Sequence, residues 1–353
     1  MAAAKPRRRG VSLLDVVSFD EAAELAASAF RGAGVSDREA QAAAETLALA
    51  EAMGVVTHGL SRVGDYVARI AAGGIDPRAE VVVEKLSLAL RLIDGNHGLG
   101  PAVARCALYA AMDVAREAGI GAAFVRHGSH LGALAPFLYL AAEAGFVAIM
   151  TTNTAPMIAP PGGRVPLIGN NPLGLAVPHP DGRHVLVDLA LSVVSRSRVR
   201  AALKAGTDIP ESWATDASGR STSDPARAME GLMQAIGGEK GAVLALALDL
   251  LAGAMAGDGF LSHIPTAAKT PERPQNLGQL FILIDAGRLL PDDVRRARLD
   301  DAAALVTSSP LLDPDHPIRM PGARALRQLR AARENGIPLS PALLSDLREM
   351  ARL

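Results

Sequence analysis

Phe146-Val147-Ala148-Ile149-Met150 and Val185-Leu186-Val187 are short apolar runs, and each leads into a polar residue: Asn153 after the first, Asp188 directly after the second. Runs of this length, bounded by polar or Gly/Pro-rich residues, read as buried strands. Around them lie His127 and His130, the loop Pro160-Pro161-Gly162-Gly163, and Asn170-Asn171-Pro172. Buried strands that deliver polar groups at their ends build a rigid ligand pocket. Residues 119–192 are therefore expected to form the floor of a cofactor site.

Outward from that centre, both chain ends read as helical. Ser18 with Glu21, and Ser36 with Glu39, carry the Ser-x-x-Glu spacing of a capping box. The two helices they open should end near Gly32 and near Met53. A third helix is expected from about Leu60 to Ala72, before Gly73-Gly74. Strand-like segments follow at 81–83 and 88–93, then an Ala-rich helix over 101–118. The apolar run from Gly241 to Gly257 is shorter than a membrane span and contains Asp249, so it reads as a buried helix. Leu280 to Asp285 is a strand, and 291–353 is helical with a break at Met320-Pro321-Gly322.

Composition excludes several classes. The chain has 353 residues, enough for one large domain or two ordinary ones. Aromatics are only 3%, so Ala, Leu and Val must fill the core. A net charge of -1 gives no bulk attraction to nucleic acid or to an anionic membrane. Cys106 stands alone, which rules out an intrachain disulfide and leaves no Cys-based zinc site. Residues 1–10 are basic with no long apolar segment behind them, and are expected to be a disordered tail rather than a secretory signal. These features are compatible with a reducing compartment, and a cytoplasmic location is expected.

Three stretches carry candidate chemistry. In Thr57-His58-Gly59-Leu60-Ser61-Arg62, with Tyr66 beyond, His58, Arg62 and Tyr66 recur at four-residue spacing and would share a helix face. A histidine moves protons near neutral pH, and an arginine binds a carboxylate through two parallel hydrogen bonds. The pair suits an organic acid; a surface His and Arg at a helix start is the plainer alternative. His127-x-x-His130 could be half a metal site, but no motif supplies a third ligand, so no metal is expected. Asp188 sits inside an apolar stretch, where a carboxylate is expensive unless paired. A histidine partner would offset that cost; an aspartate capping a turn is the alternative. The G-x-G-x-x-G fingerprint, the Walker A loop and the G-x-S-x-G elbow are all absent.

These residues resemble the malate/L-lactate dehydrogenase family that is unrelated to the Rossmann-type lactate and malate dehydrogenases. Its members include diketogulonate, ureidoglycolate and sulfolactate dehydrogenases and a piperideine/pyrroline-carboxylate reductase. The resemblance covers about residues 15–350. It rests on Thr57-His58-Gly59-x-x-Arg62, Gly128-Ser129-His130-Leu131-Gly132, Thr152-Asn153-x-x-Pro156 with Gly162-Gly163, Gly169-Asn170-Asn171-Pro172-Leu173, Val187-Asp188-Leu189-Ala190-Leu191-Ser192, Gly237-Gly238-Glu239-Lys240-Gly241 and Met320-Pro321-Gly322. Each is weak alone; seven in the family's order are specific.

The resemblance implies an α/β fold: a non-Rossmann sheet domain (86–285) plus a helical domain built from both chain ends (11–85 and 286–353). It implies an NAD- or NADP-dependent oxidoreductase that interconverts a 2-hydroxy acid and a 2-oxo acid, or reduces a cyclic imine. A cofactor-binding relative without turnover is the remaining alternative. His58 falls on the proton donor, Thr57 beside it, Arg62 on the carboxylate anchor and His130 on the substrate pocket. Asp188 falls on an aspartate hydrogen-bonded toward the donor histidine. Cofactor contacts fall on His184, Val185, Leu186, Val187, Asp188, Leu189 and Ala190, on Glu239 and Lys240, and on Gly322, Ala323 and Arg324. Arg196, Arg198 and Arg200 follow the strand and could meet a 2′-phosphate, or form a solvated basic face. A homodimer acting on a small carboxylate substrate is implied, with no nucleic acid and no membrane partner. Thr57, Ser129, Asn170 and Ala323 depart from the family's usual Ser, Asn, Thr and Glu; the last three leave substrate and cofactor detail open.

Overall fold

The computed structural model describes residues 14–352, so the tail expected at 1–10 lies outside the described residues. The chain opens with strand β1 (Asp15–Val17) and helices α1 (Phe19–Gly32), α2 (Asp37–Ala52) and α3 (Val63–Ala72). Both serines cap their helices: the Ser18 hydroxyl accepts the Glu21 N–H at 3.0 Å and the Ser36 hydroxyl accepts the Glu39 N–H at 3.4 Å, while the return bond of a full capping box, from serine N–H to the glutamate, is not made at either site. Each such cap contributes about 1 kcal/mol. Ala22, Ala26, Ala40, Ala44 and Ala48 are all fully buried, and their small side chains let α1 and α2 pack closely.

Strands β2 (Val82–Lys85) and β3 (Leu90–Asp94) form a hairpin, followed by α4 (Gly100–Ala118), β4 (Ile120–Gly128), α5 (Ala135–Glu143) and β5 (Phe146–Thr152). Then come β6 (Leu173–Val177), β7 (Val185–Leu189), α6 (Arg196–Ala205), α7 (Pro225–Glu230), α8 (Glu239–Ala252) and β8 (Leu277–Asp285). The chain closes with α9 (Asp292–Thr307), α10 (Ala323–Asn335), β9 (Ile337–Leu339) and α11 (Pro341–Met350).

Seven strands form one sheet in the order β2-β3-β4-β8-β5-β6-β7. Only β3 and β4 run parallel; every other adjacent pair is antiparallel. This is a mixed α/β fold without the all-parallel sheet of doubly wound dinucleotide-binding domains. The sheet begins before residue 86, because β2 pairs with β3 through Val82↔Asp94 to Lys85↔Arg91. Val82–Lys85 thus leaves the helical segment expected for 11–85. The strand-like segments expected at 81–83 and 88–93 are the two arms of this hairpin, and every residue of β2 is exposed.

The two chain ends meet: β1 pairs antiparallel with β9 through Val17↔Ile337. Neither three-residue strand was expected from the sequence. One hydrophobic core runs without a break from α1 and α2 through α4 and α5 to the sheet residues Ile93, Val125, Phe281 and Leu283, and includes Leu326 and Leu347 from the C-terminal helices. A second core surrounds Ile168, Val199, Met233 and Ala245. Helix α9 joins neither; none of its residues is buried. It is anchored instead to the β6–β7 turn, with Arg183 on Asp300 at 2.7 Å and Arg296 on Asp181 at 2.9 Å. No helix among the described residues is long and apolar enough to cross a membrane.

Candidate active site

The helix expected from about Leu60 starts three residues later. Val56–His58 and Leu60–Arg62 are single 3-10 turns separated by Gly59, whose extended backbone breaks the helical run. The cause lies underneath. The Glu51 carboxylate, on the buried face of α2, accepts the Leu60 N–H at 2.9 Å. A Cβ on Gly59 would lie 2.3 Å from Glu51 Oε2, so only glycine admits the carboxylate here. His58 and Arg62 are therefore presented from a loop rather than from one helix face. Thr57 braces both: its hydroxyl lies 3.0 Å from His58 Nδ1, and its carbonyl accepts Arg62 Nε at 2.7 Å. Arg62 Nη1 also reaches Asp65 at 2.9 Å, while Nη2 has no protein partner among the described residues.

The other wall is the loop after β4. Gln279, fully buried on β8, donates to the Ser129 carbonyl at 3.2 Å, and Ser129 Oγ donates to Gly98 O at 2.8 Å. This loop turns His130 toward His58. The two rings stack with centroids 5.7 Å apart and planes at 27°. Tyr66, the third residue of the expected four-residue series, reaches His130 Nδ1 with its hydroxyl at 2.8 Å. His127 faces elsewhere, on Asp94 at 2.9 Å, so the two histidines of His127-x-x-His130 do not converge.

Both rings of the pair are held neutral. Burial is the main reason, because it disfavours the imidazolium. It lowers His58 from 6.5 to about 4, with the Arg62 charge as the second cause. His130 falls to about 3, through burial first and then His58, Arg62 and Arg69.

Asp188 is not hydrogen-bonded to His58, as the resemblance had implied. Its carboxylate accepts the Ala135 N–H at 2.9 Å, at the start of α5. No side chain within α5's own cap position does this, and Pro136 follows immediately, so Asp188 caps the helix from the neighbouring strand. The residue as a whole keeps exposed surface, yet burial of the carboxylate raises its pKa, against the backbone hydrogen bonds that lower it. Along the chain, residues 131–134 link His130 to the Ala135 N–H that Asp188 accepts.

His184 opens the segment expected to contact the cofactor, and its ring is held by the protein. It is buried, with Nε2 on Glu143 at 2.7 Å and Nδ1 accepting the His179 N–H at 3.0 Å, so both nitrogens are occupied by the protein. Asp188, Leu189 and Ala190, at the end of β7, are exposed. Past them the chain pairs with 234–236: Ile236 N–H donates to Leu191 O and Val193 N–H to Gln234 O. That pairing sets Glu239 and Lys240, both exposed, beside the strand end at the start of α8. Gly322 (φ +84°) packs directly on Leu186, where a Cβ would lie 2.8 Å from the Leu186 Cβ, and Pro321 O accepts the Leu186 N–H. Gly322 thus packs on the middle of β7, and the segment leading to Glu239 and Lys240 pairs with residues 191–193 just past its end.

These residues fit a dinucleotide. The N-terminus of α8 has no side-chain cap, and a Cβ on Gly237 or Gly238 would meet nothing within 4 Å. Free N–H groups, open backbone and Lys240 suit a pyrophosphate. A cavity of about 720 Å³ between α2, α4 and the β2–β3 hairpin lies apart from this; none of the candidate residues lines it.

Glu51 and Gln279 were missed in the sequence. Glu51 carries the signal that singled out Asp188: it is the lone charge in the apolar run Leu47 to Met53.

The malate/L-lactate dehydrogenase family model matches residues 17–348. The chain belongs to that family. Within it, the chain is 36% identical over 338 residues to a (2R)-3-sulfolactate dehydrogenase (NADP(+)) of Chromohalobacter salexigens, covering 95% of this chain and 98% of that protein. It is 31% identical to a Delta(1)-pyrroline-2-carboxylate reductase of Ancylobacter novellus, covering 95% and 97%. The sulfolactate dehydrogenase of Methanocaldococcus jannaschii superposes with a TM-score of 0.87 at 28% identity, covering 96% of this chain and 97% of that one. As a member of this family the protein is an oxidoreductase, and its cofactor is NAD or NADP.

Proposed function

We propose that this family member interconverts a 2-hydroxy acid and a 2-oxo acid, with His58 moving the proton. The observation that carries this reading is the grouping of a neutral His58, the stacked His130 and a half-free Arg62 guanidinium in one loop cluster. A nicotinamide dinucleotide, when bound, would supply the hydride chemistry. Arg62, through Nη2 and a shared Nη1, holds the substrate carboxylate. In oxidation, neutral His58 takes the hydroxyl proton; in reduction, it returns a proton to the oxygen. A carboxylate on Arg62 offsets the second cause of the low His58 pKa and so raises its proton affinity where reduction needs it.

The similarity to a pyrroline-2-carboxylate reductase favours a second reading, in which the bond reduced is C=N. The deciding experiment is a panel of 2-hydroxy acids, 2-oxo acids and cyclic imino acids, sulfonated ones included, with NADH and NADPH. Turnover only of cyclic imines would overturn the first reading.

A homodimer goes with this proposal. Helix α9 buries none of its residues, and Leu305 (69% exposed) and Val306 (44%) are left open on it. Such an apolar face calls for a partner. Sedimentation at micromolar concentration tests it, and a fully active monomer would refute it. The single cysteine and the balanced charge accord with a cytoplasmic location.

A further inference from the structure

We infer that Tyr66 is a positioning residue that holds His130 as the tautomer protonated on Nε2, so that the ring offers a hydrogen-bond donor to an anionic ligand beside His58 and Arg62. This deepens the proposed function and rests on it for the identity of the ligand, but not for the tautomer.

The argument is one of hydrogen-bond satisfaction. The Tyr66 hydroxyl lies 2.8 Å from His130 Nδ1. Tyr66 is 2% exposed, and His130 is the one hydrogen-bond partner of its hydroxyl among the described residues. Two neutral arrangements exist. In one, Tyr66 O–H donates to Nδ1 and the ring proton sits on Nε2. In the other, Nδ1–H donates to the phenol oxygen, and the phenol proton has no acceptor. A buried donor left without an acceptor loses the full desolvation cost of that group. The first arrangement satisfies both groups.

The charged alternatives fail on their surroundings. An imidazolium at His130 would face Arg62 and Arg69 as well as the stacked His58, and all three disfavour it. A tyrosinate is disfavoured by burial, which raises the phenol well above its ordinary value. The pair is therefore neutral across the working pH range.

With Nδ1 engaged, Nε2 is the nitrogen left to a ligand; it has no protein partner among the described residues, and the residue keeps some open surface. An Nε2–H can donate to a carboxylate or carbonyl oxygen and cannot accept from a donor. Next to the Arg62 fork, this makes a second fixed donor for the same kind of ligand.

Long-range ¹H–¹⁵N correlation of the histidine rings tests the assignment, with His130 identified by its loss in His130→Gln. The wild type is expected to show Nδ1 unprotonated and Nε2 protonated from pH 6 to 8. In Tyr66→Phe the ring should move toward a mixture of tautomers. In parallel, oxamate binding to the protein–NADPH complex should weaken about tenfold in Tyr66→Phe, the size of one hydrogen bond, while NADPH affinity stays unchanged. A wild-type His130 protonated on Nδ1, or Tyr66→Phe with the wild-type ring spectrum, overturns the inference. Should Tyr66→Phe not fold, the wild-type spectrum alone decides it. If oxamate does not bind the wild type while the spectrum shows the Nε2 tautomer, the substrate class proposed above fails and the role of Tyr66 stands.

Discussion

Glu51 Oε2 accepts the Leu60 N–H at 2.9 Å from directly beneath Gly59, so a buried carboxylate on α2 sets the path of the loop that carries His58 and Arg62. A methyl group at Gly59 would meet Glu51 Oε2 at 2.3 Å and its backbone N at 3.0 Å. Gly59→Ala should cost about 1–3 kcal/mol by overpacking and lower activity through the displaced loop. Glu51→Gln behaves differently. Desolvation raises the Glu51 pKa above 4.5, so burying the carboxylate is unfavourable once it ionises. The stability tied to the protonated form is fully present below 4.5 and is lost as pH rises through the raised folded value. Glutamine keeps an acceptor for Leu60 N–H without a charge. The melting temperature of Glu51→Gln should therefore gain on the wild type between pH 4 and pH 8. A gap that shrinks over that range would contradict the assignment.

Arg62→Lys should weaken the substrate far more than the cofactor. Lysine keeps the charge but cannot present two parallel donors to a carboxylate. The expected loss is about 2 kcal/mol, seen mainly in KM. Loss of the Nε bond to Thr57 O adds a smaller fall in kcat, because the same carbonyl precedes His58. The Arg62–Asp65 pair is partly exposed and contributes little by itself. An unchanged KM for a turned-over 2-oxo acid would place the carboxylate elsewhere.

The readability of the sequence follows from how local each constraint is. The serine caps at Ser18 and Ser36 depend on residues three apart, and both helices start where the spacing placed them, each with the serine half of the box. The strands at 146–150 and 185–187 were visible as short apolar runs, but neither is covered on both faces: Ile149 is exposed on β5, and on the edge strand β7 only Leu186 of Val185–Val187 is buried. The third helix began late because Glu51, nine residues back, competes for the Leu60 N–H; local propensity holds no record of that contact. The strands β1 and β9 are three residues each and exist through pairing across more than 300 positions. Within the site, Tyr66 was legible from spacing, though the reason for the spacing was wrong. It meets His130 from α3, whereas His58 lies outside that helix.

Asp188 tests the difference between resemblance and geometry. Paired with His58, Asp188→Asn would shift the proton-transfer step. In the structure the carboxylate caps α5 through Ala135 N–H. Asp188→Ala should then cost about 1 kcal/mol of stability, the worth of a helix cap, and Asp188→Asn much less, since its amide oxygen still accepts. The pH profile of oxidation should be the same in Asp188→Asn and wild type. A displaced profile would restore a direct coupling of Asp188 to the donor histidine.

The pH dependence of the two directions reads the state of His58 itself. Its pKa is lowered from 6.5 to about 4, by burial first and the Arg62 charge second. In the free protein the ring is thus neutral from about pH 5 upward. Oxidation needs the neutral ring as base, so kcat/KM for a 2-hydroxy acid should be flat in its His58 dependence from pH 6 to 9. Reduction needs the protonated ring, whose fraction falls about tenfold per pH unit above the pKa. Reduction kcat/KM should fall accordingly as pH rises. An ordinary histidine would instead give oxidation a rising limb centred near 6.5. Finding that limb would mean that His58 is solvated in the working enzyme or that another group carries the proton. His58→Ala separates those two outcomes. It should reduce turnover by about a hundredfold to ten-thousandfold and leave NAD(P)H binding intact by fluorescence titration. If more than about a tenth of wild-type turnover survived, far short of the usual loss, another group would carry the proton, and His130, stacked on His58, would be the next to substitute.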